Sequence, residues 1–491
     1  MGNENFSGMK ILVMGLGLNS GGVEAALYLA RQGAAVTITD LRDEKTLAPS
    51  IEKLAAFPIR YVLGRHETED FKTADMVIKN PAVKPDSPFL KDARRIETDI
   101  SLFLAACPAR ILAVTGSKGK SSVSSALHYA LNEYYGGRKA WLGGNIAKSP
   151  LSFIEKIKPA DDVVLELSSW QLGDLRGRDL LKPRAAIITP IMKDHQEWYG
   201  SMEAYVADKK LIYKNQDESD LTIAEDDIWG KCFLGESRGR PLAYSQKPLD
   251  AGVWGGWIAE GGGPGLARLP GLGCANHFTA GSTGKETDPG AALEVVPPRP
   301  LVPGIHQKQN LLIAALALLD LGLDPGQIRE TLGRFPGIEH RLEFFHESGG
   351  IRFYNDSAAT IPEAAAAAIA AFSEAPERGA GPGREANLVL LSGGTDKSLD
   401  FMPLARAAAG AREIVLLAGT GSEKLRKLLD GNGLKYRGPF DSIDAAIASC
   451  LEAARPGDNV ILSPGCTSFG MFVNEFERGL KWKEGIRRLF P

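Results

Sequence analysis

The stretch "VTGSKGKSS", residues 114–122, has the residue types of a phosphate-binding loop. The common form of this loop has four residues between its first glycine and its Gly-Lys-Ser/Thr, whereas here only two separate Gly116 from Gly119. A short glycine loop between a strand and a helix still presents backbone N–H groups to an anion. Lys120 can reach the terminal phosphates of a triphosphate, and the Ser121 hydroxyl can ligate Mg²⁺. The stretch therefore predicts a site for a nucleoside triphosphate.

Three further residues have side chains suited to this chemistry. Glu166 ends the apolar run "DDVVLE", where a carboxylate can serve as an oxygen ligand at the end of a strand. His195 follows a second apolar run, "RAAIITPI", by a few residues. Lys209 lies in "SMEAYVADKKLIYKN", four residues from Tyr205 and from Tyr213, which is helical spacing. We predict that these side chains lie near the glycine loop.

A strand, a glycine turn, a helix and a second strand precede this region, in "KILVMGLGLNSGGVEAALYLARQGAAVTITD". This βαβ pattern predicts a Rossmann-like domain, and an acidic residue such as Asp40 at the end of the second strand usually meets a sugar hydroxyl. The glycines do not form G-x-G-x-x-G, because Asn19 and Ser20 occupy positions where the motif would continue. We therefore expect a nucleotide rather than a dinucleotide at this turn.

The length of 491 residues indicates about three domains. Strand and helix patterns alternate in three segments, which predicts an α/β fold. We expect domains over residues 1–104, 105–338 and 339–491. The middle domain includes a Gly/Pro-rich insertion at 230–300.

The bulk composition favours small-molecule chemistry. A formal charge of −3 and a pI near 6.2 give no basic face for a nucleic acid. The five cysteines are scattered, without a metal-ligand or C-x-x-C spacing, which is typical of reduced thiols in a cytoplasmic protein. No apolar run has the roughly 20 residues of a membrane span. We expect a cytoplasmic enzyme without membrane insertion.

Eight motifs occur in an order that resembles the Mur ligase family, the ATP-dependent amide-forming enzymes of peptidoglycan precursor synthesis. They are "VTGSKGKSS", "GGNIAKSP", "ELSSWQL", "DH" with a downstream lysine, "PGIHQKQN", "HRLE", "NDSAAT" and "LLSGGTDKSLDF". The start "GLGL" and the ending "LSPGCTSFGMF" are most similar to the branch that adds D-glutamate to UDP-N-acetylmuramoyl-L-alanine through an acyl phosphate. The resemblance implies a central P-loop ATPase-like domain between two Rossmann-like domains, the cofactors ATP and Mg²⁺, and a monomer.

The resemblance also implies roles for individual residues. The catalytic residues are expected to be Lys120, Glu166, His195 and Lys209. The metal ligands would be Ser121, Glu166, His195 and Lys209, the last as a carbamate. ATP would be bound by Gly116, Ser117, Lys118, Gly119, Lys120, Ser121, Ser122, Asn310, Arg341 and Asp356. The UDP-substrate would be bound by Gly17, Leu18, Asn19, Asp40, Leu41, Arg42, Asn80 and Asn145. Glutamate would be bound by Thr360, Lys397 and Ser468.

Four positions depart from the family pattern. Ala358 stands where lysine is common, and Gln307 stands where asparagine is usual. Gly470 replaces a frequent aspartate and Glu475 replaces an aromatic residue near the amino-acid pocket. These changes leave open whether D-glutamate or L-glutamate is added.

Other functions remain as alternatives. Within the ligases these are the addition of L-alanine to UDP-N-acetylmuramate and a folate polyglutamate ligase, although the latter does not need a UDP-binding domain. A nicotinamide-dependent oxidoreductase could use the first glycine turn, but it leaves "TGSKGKSS" and Lys209 without a role. A non-catalytic nucleotide-binding module would bind ATP without releasing phosphate.

Overall fold

The computed structural model describes residues 4–18, 20–146, 148–270, 292–373 and 387–490. The chain forms two compact units. The first comprises Met1–Trp257, Ala267–Leu293 and Ile313–Asp324, and the second comprises Ile258–Leu266, Glu294–Leu312 and Pro325–Pro491.

The first unit begins with a five-stranded parallel sheet. Its elements are β1 (Lys10–Met14), α1 (Ser20–Arg31), β2 (Ala35–Asp40), α2 (Glu44–Glu52), β3 (Arg60–Leu63), α3 (Thr68–Thr73), β4 (Met76–Lys79), β5 (Ile96–Glu97) and α4 (Asp99–Ala106). The order β3-β2-β1-β4-β5 reverses its direction of growth between β1 and β4. Open α/β sheets bind ligands at this reversal, beyond the carboxyl ends of the strands.

A second parallel sheet follows in the first unit. Its elements are β6 (Arg110–Thr115), α5 (Lys120–Tyr134), β7 (Ala140–Gly144), β8 (Asp162–Glu166), α6 (Ser169–Gly173), β9 (Ala185–Ile188), α7 (Gln196–Tyr199), α8 (Met202–Lys209), β10 (Leu221–Glu225), α9 (Ile228–Glu236), β11 (Arg240–Ser245) and β12 (Gly255–Ile258). These strands pair in the order β12-β11-β10-β9-β6-β8-β7. The loops after β6, β8 and β9 therefore leave the same edge of the sheet as neighbours.

Two short strands and two helices follow, with residues 271–291 outside the described part of the chain. They are β13 (Gly265–Arg268), β14 (Leu293–Val296), α10 (Ile305–Asp320) and α11 (Pro325–Gly333). The described residues on both sides of the gap belong to the predicted Gly/Pro-rich insertion. In α10, the residues from Leu311 to Leu319 are all buried, as its apolar sequence predicts.

The second unit contains a six-stranded sheet in the order β15-β16-β20-β17-β18-β19. Its elements are β15 (Glu343–Ser348), β16 (Ile351–Asn355), α12 (Pro362–Ser373), β17 (Leu388–Gly393), α13 (Met402–Ala407), β18 (Glu413–Leu417), α14 (Thr420–Gly431), β19 (Arg437–Phe440), α15 (Ile443–Ala453), β20 (Asn459–Leu462) and α16 (Glu475–Leu489). Among the described strands of this sheet, only the pairing of β15 with β16 is antiparallel.

The three sheets confirm the predicted α/β class. Their central strands are continuous apolar runs, such as "LVLL" in β17, because helices cover both faces of a parallel sheet. None of the helices in the described part of the chain has the length and apolar content of a membrane span.

Candidate active site

The glycine loop lies between β6 and α5, at the carboxyl edge of the second sheet. Gly116 has a φ of 139°, and a Cβ built there would lie 2.0 Å from Thr189 Oγ1. Gly119 has a φ of 88° and caps the N-terminus of α5. Both positions require glycine, because other residues rarely adopt this conformation. The loop therefore brings the N-terminus of a four-turn helix to the sheet edge, which suits an anion.

The charged residues of the loop face two directions. The Lys118 side chain is exposed. The Lys120 ammonium group donates to the carbonyl oxygens of Gly116 at 3.0 Å and Ser117 at 3.1 Å. A lysine that bonds to its own loop stays within reach of a phosphate placed over the loop. Ser121 is partly buried in the first turn of α5 and Ser122 is buried there.

The Ser117 side chain points into the protein. Its hydroxyl accepts from Met192 N at 2.9 Å and lies 3.0 Å from Tyr205 Oη. Its backbone N–H donates to Pro190 O at 2.9 Å. Ser117 thus anchors the loop to the segment after β9 and to α8, and its hydroxyl is engaged in these internal contacts. In the sequence, only the four-residue spacing from Lys209 draws attention to Tyr205, and this spacing does not predict a contact with Ser117.

Lys209, the last residue of α8, is buried against the glycine loop. Its Nζ donates to Gly116 O at 2.8 Å and lies 4.5 Å from the centre of the Tyr205 ring. Burial lowers the pKa of Lys209 to about 7, the charge of Lys120 acts in the same direction, and Asp194 partly opposes them. A lysine with this pKa is substantially an uncharged amine at neutral pH, which a carbamate-forming lysine requires.

Glu166 and Asn145 form the neighbouring part of the edge. Glu166 ends β8 and is 1% exposed. Asn145 Nδ2 donates to Glu166 Oε1 at 3.0 Å, and Asn145 N donates to the Glu166 carbonyl at 2.8 Å. Gly144 has a φ of 105°, and a Cβ there would lie 2.1 Å from the same carbonyl oxygen, so both the conformation and the space require glycine. Asn145, predicted for the UDP-substrate, therefore lies directly beside the predicted metal ligand Glu166.

His195 lies in the segment between β9 and α7. It has a φ of 50°, a left-handed conformation that few residues other than glycine adopt. Its backbone N–H donates to Asp194 Oδ1 at 3.1 Å, and its ring lies 4.9 Å from the Trp170 ring and 6.2 Å from the Tyr205 ring. Strained residues concentrate at functional sites, so this turn supports the prediction for His195.

The unmodified side chains at this edge give an incomplete set of ligands for Mg²⁺, and further oxygen ligands are needed to complete it. In the part of the chain that the structure describes, no group of three or more His, Cys, Asp or Glu residues could hold a metal ion. Mg²⁺ prefers oxygen ligands and is often bound by one or two carboxylates together with substrate phosphates. The Glu166 carboxylate and the Ser121 hydroxyl match this ligand set. A carbamate on Lys209 would supply the missing anionic oxygen.

A second glycine turn, between β1 and α1, is fixed by Asp40. Asp40 Oδ2 accepts from Gly17 N at 3.1 Å and Oδ1 accepts from Arg42 N at 2.9 Å. The Ser50 hydroxyl donates to Gly17 O at 2.8 Å. The sequence pattern assigns Asp40 to a sugar hydroxyl, whereas each of its carboxylate oxygens already accepts a backbone N–H. Its first role is to hold the turn in shape.

The strand reversal lies next to this turn. Asn80, directly after β4, donates through Nδ2 to Gly15 O at 3.3 Å, which joins the loops after β1 and β4. Leu18 and Leu41 are 54% and 67% exposed and present apolar surface at the sheet edge. Asn19, predicted to contact the same ligand, lies outside the described residues.

The second unit holds the other residues predicted to bind ATP. Arg341 is exposed and stands between His340, with a φ of 64°, and Leu342, with a φ of 45°. Asp356, after β16, accepts from Leu342 N at 3.1 Å and from Ser463 Oγ at 2.7 Å. Burial raises the pKa of Asp356 to about 7. Asp356 is only 4% exposed and supports the Arg341 turn.

Two departures from the family pattern have local explanations. Asn310 Nδ2 donates to Gln307 Oε1 at 3.0 Å, so the longer amide orients the asparagine predicted to bind ATP. Gly470 has a φ of 98°, which favours glycine over aspartate. The backbone N–H of Ala358 donates to His340 O at 3.0 Å. Glu475 opens α16, where its carbonyl accepts from the Ser357 hydroxyl at 2.7 Å.

The residues predicted to bind glutamate lie on loops at the carboxyl edge of the third sheet. Thr360 is partly buried, Ser468 is 4% exposed and Lys397 is exposed. The loop of Thr360 meets the loop of Ser468, since Gly465 N donates to Ala359 O at 2.9 Å. The loop of Lys397 meets it as well, through a pair of backbone hydrogen bonds between residues 395 and 467.

Sequence reasoning missed Arg478. This α16 residue is fully buried and donates to Ser357 O at 2.9 Å, Ser357 Oγ at 3.0 Å and Cys466 O at 3.1 Å. Burial lowers the pKa of Arg478 to about 10. It therefore ties the loop after β16 to the loop after β20. The sequence "NEFERGLKWKEG" gave no signal for it, because Arg478 is one of several charged residues in an amphipathic helix.

Comparison with known proteins agrees with this geometry. Residues 9–101 match the Mur ligase MurD-like N-terminal domain, residues 114–254 the Mur ligase middle domain, and residues 340–466 the glutamate ligase domain of Mur ligases. The UDP-N-acetylmuramoylalanine--D-glutamate ligase of Treponema pallidum (strain Nichols) is 40% identical, over 98% of this chain and 98% of the relative. The chain belongs to the Mur ligase family.

Two further Mur ligases extend the comparison. The ligase of the same name from Borreliella burgdorferi (strain ZS7) is 37% identical over 99% of both chains. The crystal structure of a UDP-N-acetylmuramate-alanine ligase from Thermotoga maritima has a TM-score of 0.56 and 20% identity, and the match covers 98% of this chain and 100% of that one. The structural likeness concerns the fold alone and confirms the Mur ligase architecture.

Proposed function

We propose that the protein joins D-glutamate to UDP-N-acetylmuramoyl-L-alanine with conversion of ATP to ADP and phosphate. The observation that carries this proposal is the full-length similarity to relatives that bear the name of this ligase. The reaction belongs to peptidoglycan precursor synthesis and, by the proposal, takes place in the cytoplasm. The protein acts as a monomer on small molecules.

The proposed reaction has two steps. The carboxylate oxygen of the L-alanyl group attacks the γ-phosphorus of ATP, the bond from that phosphorus to the bridging oxygen breaks, and ADP leaves. The product is an acyl phosphate, which has a good leaving group where a carboxylate has none. The uncharged amine of glutamate then attacks the acyl carbon, and the tetrahedral intermediate expels phosphate. The amide forms, and its nitrogen keeps one hydrogen and releases one proton to the solvent.

Positioning and neutralisation of charge account for most catalysis of phosphoryl transfer. Lys120 and the N-terminus of α5 would bind the phosphates of ATP. Asn310, Arg341 and Asp356 would bind the rest of the nucleotide, with Asp356 acting through the Arg341 turn. Mg²⁺, held by Ser121, Glu166, His195 and the Lys209 carbamate, would neutralise phosphate charge when bound.

Lys209 has the environment that carbamate formation needs. Its uncharged Nζ would add to the carbon of CO₂, with loss of one proton, which converts a buried amine into an anionic oxygen ligand. Hydrogen bonding to Gly116 and proximity to Lys120 place this group at the phosphate loop. The pKa near 7 supports the proposal, because an ordinary lysine would be almost entirely protonated at neutral pH.

The two substrates would be bound by different parts of the chain. The turn at Gly17 and Leu18, the group Asp40 to Arg42, and Asn80 would bind the UDP-substrate. Thr360, Lys397 and Ser468 would bind glutamate, with the Lys397 ammonium on a carboxylate. The boundaries of three domains near residues 104 and 338 belong to this proposal as well.

Phosphate release tests the proposal. Purified protein would receive ATP, Mg²⁺ and UDP-N-acetylmuramoyl-L-alanine, with D-glutamate or L-glutamate in separate reactions. We expect release with D-glutamate alone, and a product heavier than the UDP-substrate by one glutamyl residue. Release with L-glutamate alone would show that the pocket with Gly470 and Glu475 selects the other enantiomer. Release only with UDP-N-acetylmuramate and L-alanine, or with a folate, would refute the proposal.

A further inference from the structure

The segment Asp174–Arg178, "DLRGR", contacts the first sheet although it follows α6 of the second sheet. We call this segment the strap. Asp174 Oδ2 lies 2.9 Å from Lys79 Nζ, and Arg178 forms an ion pair with Glu97. Lys79 and Glu97 end the adjacent strands β4 and β5. The strap is therefore joined by two ion pairs to the half of the first sheet that lies beyond the strand reversal.

The partner of Asp174 also shapes the predicted UDP-substrate site. Lys79 Nζ donates to Asn80 O at 3.3 Å and to Val83 O at 2.9 Å. These bonds fold the loop after β4 around the ammonium group, and the same loop carries the Asn80 side chain on Gly15. Asp174 thus pairs with the Lys79 ammonium group, to which the loop of Asn80 is hydrogen-bonded.

The strap also contacts α8, the helix that ends at Lys209. Arg176 of the strap forms an ion pair with Asp208, the neighbour of Lys209 on α8. The Tyr199 hydroxyl donates to Asp208 Oδ2 at 3.0 Å. Gly173, just before the strap, packs so closely on α8 that a Cβ there would lie 2.6 Å from the same oxygen. The strap therefore touches both the Asn80 loop and the helix that carries the buried lysine.

Asp174 is placed where local forces do not favour it. It caps the C-terminus of α6, where the helix dipole disfavours a negative charge. Its side chain is 7% exposed and that of Lys79 is 4% exposed. A buried charge needs a partner, and a pair of hydrophobic residues would often be no less stable. A role in the geometry of the site explains this ion pair better than a role in stability.

We propose that the strap is a positioning element that sets the Asn80 loop relative to Lys209, and so aligns the UDP-substrate with the phosphate loop. Asp174 and Lys79 are positioning residues for the substrate side, and Arg176 is a positioning residue for the Lys209 side. This inference rests on the proposed function, because it assigns the Asn80 loop to the UDP-substrate.

The substrate side is tested with Asp174→Asn and Lys79→Met. We expect each to raise the KM for UDP-N-acetylmuramoyl-L-alanine by about tenfold, since small misplacements of binding groups have large kinetic effects. The KM for ATP should change by less than about twofold. Lys79→Arg, which keeps the charge, should restore most of the affinity. Asp217→Asn is the matched control, because it removes an exposed ion pair with Lys182.

The lysine side is tested with Arg176→Met. The Arg176 side chain is 62% exposed, so this variant should fold. We expect kcat to fall by about fivefold while the KM for the UDP-substrate stays unchanged, the pattern of a lost transition-state alignment. Equal effects of Asp174→Asn and Arg176→Met on every kinetic constant, in proportion to a lower melting temperature, would overturn the proposal in favour of a purely structural role.

Amide hydrogen exchange supplies a readout that does not depend on activity. Asp174→Asn should speed exchange at residues 80–83, and Arg176→Met should speed it at residues 202–209, with no change in Asp217→Asn. Unchanged exchange rates in these segments would refute the positioning role of the strap, even if the protein is an active ligase. The two hypotheses can also fail separately. If both variants exchange faster in these segments but the protein releases no phosphate with any acceptor, the strap does position the two segments and the proposed function is wrong.

Discussion

Two glycine turns in the first unit join a parallel strand to a helix. They differ in the type of side chain that forms hydrogen bonds with their backbone. The turn after β1 is closed by a carboxylate, since Asp40 accepts the Gly17 N–H. The turn after β6 is closed by two lysine side chains, since the amino groups of Lys120 and Lys209 both donate to Gly116 O. The same type of strand–turn–helix therefore has an acidic side chain at the turn after β1 and basic side chains at the turn after β6.

This difference separates the two ligands of the proposed reaction. A basic turn at a helix N-terminus favours the triphosphate, whose charge it neutralises. In the proposed function, the turn held by Asp40, with Leu18 and Leu41 exposed beside it, would bind the UDP-substrate. In the proposed function, the side chains behind a glycine turn would therefore select the ligand more than the glycines themselves. Four sets of variants test whether the two turns act independently.

The largest effect should come from Lys120→Met. This change removes the charge that would contact the phosphates in the proposed mechanism, and we expect kcat to fall by about a thousandfold, the upper range for loss of one electrostatic contact. Phosphate release measures the effect. The binding of UDP to the first turn should be unaffected, and a parallel loss of UDP binding would contradict the separation of the two turns.

Lys209→Ala should lower kcat by about a hundredfold, because it removes the buried amine beside the loop. Lys210→Ala is the matched control, since this neighbour pairs with Glu236 at 2.7 Å, away from the loop. Mass spectrometry after trapping of carbamates should show an added carboxyl group on Lys209 and none on Lys210. Full activity of Lys209→Ala would remove this residue from the proposed mechanism.

Asp40→Asn changes the first turn alone. An amide can accept only one of the two backbone N–H groups through its oxygen, so we expect about tenfold weaker binding of the UDP-substrate. Isothermal titration with the UDP-substrate measures this effect. The affinity for ATP serves as the internal control, and an equal loss of both affinities would show that the turns are not independent.

The smallest effects should come from the serines that anchor each turn. Ser117→Ala and Ser50→Ala each remove internal hydrogen bonds, and each should lower the free energy of unfolding by about 1 kcal/mol. Denaturant unfolding checks this expectation. Activity should fall by no more than about threefold in Ser117→Ala, since its hydroxyl faces Met192 and Tyr205. A much larger loss would show that the hydroxyl binds ATP, as the sequence suggested.

The α/β fold and the edge of the second sheet were predictable from sequence. Apolar runs marked the strands, and the ends of β6 and β8 placed Gly116 and Glu166 at one edge, because parallel strands end together. The direction of individual side chains was less predictable. Ser117 reads as a phosphate ligand, but its partners lie about 75 and 88 residues along the chain, and periodicity carries no information on such contacts.

Long-range charge pairs were invisible for the same reason. Lys79 and Asp174 are ordinary charged residues in sequence, and only the packing of the first sheet on the second brings them within 2.9 Å. The buried Arg478 is a similar case. The roles of Asn310, Arg341, Thr360, Lys397 and Ser468 in binding remain predictions.

The turn of two left-handed residues around Arg341 affects how this enzyme can be engineered. A leucine at a φ of 45° costs about 1–2 kcal/mol relative to an ordinary backbone conformation. Leu342→Gly would remove this strain, but it would also remove a side chain that packs against the core of the second unit and leave the backbone beside Arg341 freer to move. A search for heat resistance at this turn therefore sets backbone strain against packing, and a gain in one is a loss in the other.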